Sequence, residues 1–315
     1  MSLEDISEDL MQQVNCDLCG RTNSIPLFTK GSFAIVRCIN CGLIYTNPRL
    51  DDALIKELYN NEYYAGKGFD SAVHYYQQHQ QMPGEVKRSL QRRLICIEKY
   101  KSKGRLLDIG CGLGDFLSIA KQKGWDCSGL ELSEYAAQIC RESLGVNIIT
   151  NPLENANLPE GYFDVITLFE TIEHLTSPIS TLRKANKLLK DNGLIVIQTS
   201  NSESLPARSG SKWGYFLPNG HLYYFSKKTM LKLLNYSKFT LLKYDYAPDS
   251  LSALYRISRI SKFQNSLMIN RKALDLLEAS VFIPFLVSTS RLNLIGGFTT
   301  YAIKKGEILT EAECK

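Results

Sequence analysis

Hydrophobic positions along this chain change period several times, and each change marks an element. From Gly104 to Ser200, short apolar runs alternate with stretches whose apolar residues recur at three- and four-residue spacing. "RLLDIG" (105–110) reads as a strand and "DFLSIAKQKG" (115–124) as a helix ending at glycine. "WDCSGLEL" is a second strand, and "SEYAAQICRESLG" is a helix with Ser133 as N-cap and Gly145 past its end. "VNIIT" and "FDVITLFE" are further strands, the latter apolar on both faces. "SPISTLRKANKLLKDNG" reads as a helix with Pro178 in its first turn, and "LIVIQTS" as a fifth strand. Continuously apolar strands alternating with helices predict a parallel sheet covered on both faces. Ligands of such sheets bind at the carboxyl ends of the strands.

Upstream, "NPRLDD" predicts a turn followed by a helix from Asp51 or Asp52 to about Tyr59. Residues 61–85, rich in tyrosine and glutamine, have little periodicity and read as a linker. Apolar residues at 86, 90, 94 and 97, with basic residues between them, predict an amphipathic helix over 86–100. Residues 202–226 carry Trp213, Tyr215, Phe216, Tyr223, Tyr224 and Phe225 among glycines, prolines and serines, and predict a lid. Apolar residues at 251, 254, 257 and 260, then at 274, 277, 281 and 285, predict two helices in an insertion over 250–296. Their basic residues suit a peripheral membrane contact, although such a face is more often solvated.

At 315 residues, 44% hydrophobic and 22% charged, the chain has room for one large core and a small appendage. A net charge of +5 permits an anionic ligand without demanding nucleic acid. "MSLEDISEDL" lacks the basic start and apolar run of a signal peptide. No apolar stretch nears the roughly 20 residues that span a bilayer. The expectation is a cytoplasmic protein.

Four of the nine cysteines form two pairs, Cys16 and Cys19 in "CDLCG" and Cys38 and Cys41 in "CINCG". The glycine after each pair lets the chain turn so that backbone amides face the sulfurs. Four thiolates suit tetrahedral Zn²⁺, so residues 1–50 are expected to form a zinc ribbon with a structural ion. Residues 51–100 follow as linker and helix, and residues 101–310 as the main domain.

Gly110, Gly112 and Gly114 follow the first strand of that domain in a GxGxG spacing. The dinucleotide fingerprint wants its third glycine where Asp115 stands, which leaves a nicotinamide enzyme open. Glu131 ends the second strand, where a carboxylate accepts hydrogen bonds from ribose hydroxyls. Asp108 adds negative charge unwelcome to a pyrophosphate. A sulfonium amino acid with an ammonium group fits it better.

With "LELS", "FDVITLFETIEHL", "LLKDNGLIVIQTSN" and "GHLYYFS", the stretch from about 101 to 247 resembles class I S-adenosylmethionine (SAM)-dependent methyltransferases. "GFTTYAIKK" (297–305) is similar to that fold's last antiparallel strand, and "CDLCG…CINCGLIYTNPR" resembles the ribbon of a bacterial subgroup tied to polysaccharide or secondary-metabolite pathways. The resemblance implies an α/β fold: a Rossmann-like seven-stranded sheet with helices on both faces, a small N-terminal zinc ribbon and a helical C-terminal insertion. It implies SAM held by Asp108, Gly110, Cys111, Gly112, Gly114, Glu131 and Leu132, with Asn151 on the adenine side.

SAM already carries an electrophilic methyl. The enzyme must align a nucleophile and, for a hydroxyl, take its proton. "FETIEHL" offers Glu170, Glu173 and His174, expected on one face of a helical turn. Two readings stand: His174 as a base on its own, or all three holding Mg²⁺ or Mn²⁺. The pattern resembles the metal site of ubiquinone-pathway O-methyltransferases and of small-RNA ribose methyltransferases. The latter add a later histidine, for which His221 is the counterpart here. The expected acceptor is a small molecule, a hydroxyl of a sugar or glycan intermediate. An RNA or protein substrate gripped by the ribbon is the alternative. Against it, residues 16–46 carry only Arg21, Lys30 and Arg37 as basic groups. A sugar C-methyltransferase is a third reading, although those enzymes have an additional C-terminal domain.

Overall fold

The apolar runs pair as a parallel sheet, in an order that periodicity does not reveal. The structure is a computed structural model and describes residues 8–58, 84–246 and 296–305. Strands β1 (Met11–Gln12), β2 (Ser24–Lys30), β3 (Phe33–Cys38), β4 (Ile44–Thr46) and β5 (Arg49–Leu50) precede helices α1 (Asp52–Leu58) and α2 (Gly84–Glu98). Then come β6 (Arg105–Ile109), α3 (Asp115–Gln122), β7 (Asp126–Leu130), α4 (Glu134–Leu144), β8 (Asn147–Ile149), β9 (Phe163–Phe169), α5 (Pro178–Leu188) and β10 (Leu189–Ser200). The last elements are β11 (Tyr223–Tyr224), α6 (Lys227–Tyr236), β12 (Phe239–Asp245) and β13 (Gly297–Lys304).

Seven strands form one sheet in the order β12-β13-β10-β9-β6-β7-β8. β8, β7, β6, β9 and β10 are parallel, and β13 runs antiparallel to both of its neighbours. This is the expected Rossmann-like arrangement. Its side chains alternate between faces. Leu106, Val165 and Val196 enter one buried cluster with Phe116 and Leu117 of α3. Their neighbours Leu107, Ile166 and Ile197 enter the other, with Leu182 and Ala185 of α5. Strand order reverses at β6, which opens a crevice at its carboxyl end.

Helix boundaries follow the caps. The Ser133 hydroxyl accepts from the Ala136 N–H at the start of α4, and Gly145 ends that helix with φ 59°. Such a cap is worth about 1 kcal/mol. The helix expected to run to Gly193 stops instead at Leu188, because Leu189 is extended and pairs with Phe163 of β9. Both leucines are fully buried, one on the helix and one in the sheet.

A second sheet, ordered β11-β4-β3-β2, forms the cysteine-bearing module, and its strand β11 comes from residues 223–224. Trp213, Phe216 and Tyr224 pack with Ile35 and Ile44 of this sheet and with Ala207. The aromatics of the segment expected as a lid therefore bury themselves against the ribbon sheet. The tyrosine-rich stretch up to residue 83 and the expected insertion helices up to residue 295 lie outside the described residues. No helix among the described residues is long and apolar enough to cross a membrane.

Candidate active site

At the carboxyl end of β6 the chain turns through Gly110 and Gly114, at φ 72° and 85°. A side chain at Gly110 would strike Thr171 on the turn after β9, so the loop packs directly on the opposite wall. Glu131, at the end of β7, fixes the loop from the other side. Its Oε2 accepts from the Gly112 N–H (2.9 Å) and its Oε1 from the Ser133 N–H (2.9 Å). Leu132 stands beside it, more than a third exposed, and lines the cleft. The Cys111 side chain instead joins the buried cluster with Leu117 and Ile148, leaving its backbone to the loop. Asn151 is exposed, and the cleft wall at that point is Pro152, Leu153 and Glu154. Asn151, expected on the adenine side, is not among the residues that line the cleft.

Asp108 is buried and accepts from the Thr167 hydroxyl (2.6 Å). Burial pushes its carboxyl up to about 7; Glu131 adds to the rise, while Thr167 and the Arg93 charge oppose it. Arg93 belongs to α2, and its guanidinium lies 4.9 Å over the Phe169 ring. In the sequence Arg93 is one of several basic residues on an amphipathic helix, and nothing there singles it out.

Beyond β9, Glu170 takes a left-handed φ of 49° and a single 3-10 turn covers Ile172–His174. Glu170, Glu173 and His174 therefore do not share one face of a helical turn. Glu170 stays with the sheet: its N–H donates to the Gln198 carbonyl (3.0 Å) and its carboxylate accepts from Gln198 Nε2. Glu173 is fully buried, and burial together with Glu170 raises its carboxyl well above the usual range. The residue that joins Glu173 and His174 is His221, and the ligand atoms of these three lie within 4.8 Å of one another.

The two imidazoles are held alike. His174 Nδ1 lies 3.0 Å from the Gly220 carbonyl and His221 Nδ1 2.8 Å from that of Tyr215. A carbonyl only accepts, so Nδ1 carries the proton and Nε2 is the basic nitrogen in both rings. The rings meet edge to face, 4.7 Å between centroids. Burial and the neighbouring His174 push His221 down to about 3, so it stays neutral across the working pH range. Two imidazoles oriented by carbonyls, with a buried carboxyl that would release its proton to an ion, form a donor set that fits a divalent cation. One cleft connects the two halves of the site. It is lined by Gly110, Glu131 and Leu132 on one side and by Glu170, Thr171 and His174 on the other. Ile55 of α1 and Leu175 also line it, and sequence patterning marks neither.

The four cysteines converge as their spacing predicts. Their sulfurs lie within 4.8 Å of one another, with Cys16 to Cys41 at 3.4 Å and Cys19 to Cys38 at 3.5 Å. Cys16 is pushed up by its hydrogen bond to Cys41 and by burial; Cys41 is pulled down by the same bond and by the Leu43 N–H. Four converging thiols facing backbone amides fit a tetrahedral metal.

The strand order, the glycine loop and the carboxylate ending β7 define the Rossmann-like methyltransferase fold. Residues 76–244 match the model of the Methyltransferase domain family, and the chain belongs to that family. It is 32% identical over 104 residues to the ubiquinone biosynthesis O-methyltransferase of Pseudomonas aeruginosa (strain UCBPP-PA14), covering 31% of this chain and 44% of that protein. The chain spans less than half the length of the curated relatives it matches. Among solved structures, a SAM dependent methyltransferase from Archaeoglobus fulgidus superposes with a TM-score of 0.52 at 21% identity, over 75% of this chain and 100% of that one. A Haemonchus contortus phosphoethanolamine N-methyltransferase 2 superposes with a TM-score of 0.55 at 13% identity, over 89% and 71%. At these identities the likeness is one of fold.

Proposed function

We propose that the protein transfers the methyl group of SAM to a hydroxyl of a small hydrophilic acceptor of the sugar or glycan class. The observation that carries this reading is the single cleft joining the Glu131-fixed glycine loop to His174. Glu131 suits the ribose, Asp108 and the loop suit the methionine end, and Leu132 with Leu153 suits the adenine. SAM, when bound, supplies a methyl that needs no activation. His174 Nε2 takes the acceptor proton, and the buried groups around it favour a polar acceptor. Both Glu173 carboxyl oxygens are buried without a hydrogen-bond partner, and Thr199 lies beside them. In the alternative reading, Glu173, His174 and His221 would hold a divalent cation, whose charge would lower the pKa of an acceptor hydroxyl; His174 Nε2 is then a ligand and not the base. Cys16, Cys19, Cys38 and Cys41 would hold a structural zinc. A macromolecular substrate is disfavoured because the ribbon carries few basic groups, and one of them, Lys30, is engaged with the Phe216 carbonyl of the same chain.

The test is calorimetric titration with S-adenosylhomocysteine (SAH) and with NAD. Glu131→Ala removes two charge-assisted bonds to the ribose, about 1.5–3 kcal/mol each, and should weaken SAH roughly 10²–10⁴-fold. Tight NAD binding without an SAH signal would overturn the reading.

Asp108 gives a pH-dependent check. Between the ordinary carboxylate range and pH 7 the folded protein keeps a proton that the unfolded chain has released, so its stability falls as pH rises through that window. An ammonium group bound nearby favours the ionised carboxylate. SAH should therefore raise the melting temperature more at about pH 8 than at about pH 6, and Asp108→Asn should flatten that difference. Equal SAH stabilisation at both pH values in the unsubstituted protein would remove Asp108 from the ammonium site.

A further inference from the structure

We propose that the cysteine-bearing module is the back wall of the active site, with Thr46 and Arg49 as positioning residues for the Glu173–His174–His221 cluster. The inference rests on the reading above only for the role it gives that cluster. Any docked module buries some hydrogen bonds, so what matters is where they fall. Here the buried polar contacts concentrate on the two segments that carry the cluster.

Thr46 ends β4 and is fully buried. Its Oγ1 donates to the His221 carbonyl (3.1 Å) and its N–H to the Leu222 carbonyl (3.0 Å). The Leu222 N–H in turn donates to the Glu173 carbonyl (2.8 Å). The peptide next to His221 is thus held between the ribbon strand and the catalytic turn. His174 leans on the adjoining peptide, because its Nδ1 bonds the Gly220 carbonyl just before His221. The next two residues, Tyr223 and Tyr224, complete the register by pairing with Tyr45 and Ile44.

Arg49 secures the other segment. Its guanidinium donates to the Thr176 carbonyl (3.2 Å), the Tyr223 hydroxyl (3.1 Å) and Asp52 (3.1 Å). The Tyr223 hydroxyl donates to the same Thr176 carbonyl (3.0 Å), so one acceptor two residues past His174 is fixed from both segments. Asp17, between the first pair of cysteines, accepts from the Ser177 hydroxyl (2.7 Å) and the Ile179 N–H (2.9 Å) at the start of α5. A buried guanidinium shared among three acceptors resists displacement, because any shift leaves a charged donor without its partner.

The experiment uses the full chain with labelled histidine. The protein has four histidines, and those at 174 and 221 are assigned through His→Gln variants. The probe is the nuclear Overhauser cross-peak between the His174 and His221 rings, read beside SAH affinity and bound zinc. Thr46→Val, which keeps shape and the backbone bond, should lose that cross-peak with SAH affinity and zinc content unchanged. Thr46→Ser, which keeps the hydroxyl, should retain it. Arg49→Met should lose it too; if that variant loses zinc or SAH binding, Thr46→Val decides alone. An unchanged cross-peak in Thr46→Val would overturn the proposal. Absence of SAH binding in the unsubstituted protein would instead overturn the methyltransferase reading, and the ring geometry would still report on the ribbon.

Discussion

Cys38→Ser is expected to yield protein without bound zinc and with a much lower unfolding temperature than the unsubstituted chain. Cys38 ends β3, is fully buried, and its sulfur lies 3.5 Å from that of Cys19. A serine hydroxyl does not ionise near neutral pH, so the site keeps three thiolates and a poor fourth donor. Structural zinc in small modules contributes an apparent 10–16 kcal/mol, roughly the whole stability of an ordinary domain. The damage should pass beyond the ribbon, because β11 (Tyr223–Tyr224) completes the ribbon sheet from a segment far along the chain. Elemental analysis and thermal unfolding decide the matter. One zinc per chain in the unsubstituted protein and none in the variant is the expected result. Unsubstituted protein free of zinc, or a variant that keeps it, would refute the zinc assignment.

His174→Ala should slow the chemical step about 10²–10⁴-fold while leaving SAH affinity unchanged. The ring is poised for proton transfer, since the Gly220 carbonyl fixes the proton on Nδ1 and leaves Nε2 as the base. The measurement is transfer of labelled methyl from SAM to a panel of sugars and glycan intermediates. If Glu173, His174 and His221 hold a cation, a chelator should abolish turnover, and Mg²⁺ or Mn²⁺ should restore it. Bound zinc must be followed in the same samples to keep the two metals apart. Full activity in His174→Ala would eliminate both the base and the cation.

The two sites differ in how far the sequence alone reaches. Cys16, Cys19, Cys38 and Cys41 announce themselves because each pair is a local turn, and two such turns need only one strand pair between them to meet. Glu173 and His174 are likewise visible as a local group. The third member, His221, stands far along the chain from them and is expected only through the family resemblance, not from local spacing. The helical face expected for Glu170 fails for a related reason. A helical spacing argument assumes a helix, and here the hydrogen bonds to Gln198 keep Glu170 on the sheet.

Local rules determined the elements. Side-chain periodicity marked most segments as strands or helices, although not the end of α5 or the turn after β9; the caps set the ends of α4, and the requirement for left-handed backbone placed glycine at Gly110 and Gly114 beside an acidic strand end. These effects act over a few residues, and any chain with this pattern shows them. Tertiary structure decided what those elements bring together. It placed β11 in the ribbon sheet, buried Trp213 against Ile35 and Ile44, and set Arg93 over Phe169. It also put Leu153 rather than Asn151 on the cleft wall, and brought His221 to Glu173 and His174. Apolar burial is non-directional, so a pattern of buried positions does not say which distant surface covers them. That choice falls to shape complementarity and to the buried hydrogen bonds of Thr46, Arg49 and Asp17, which form only when the whole chain has closed.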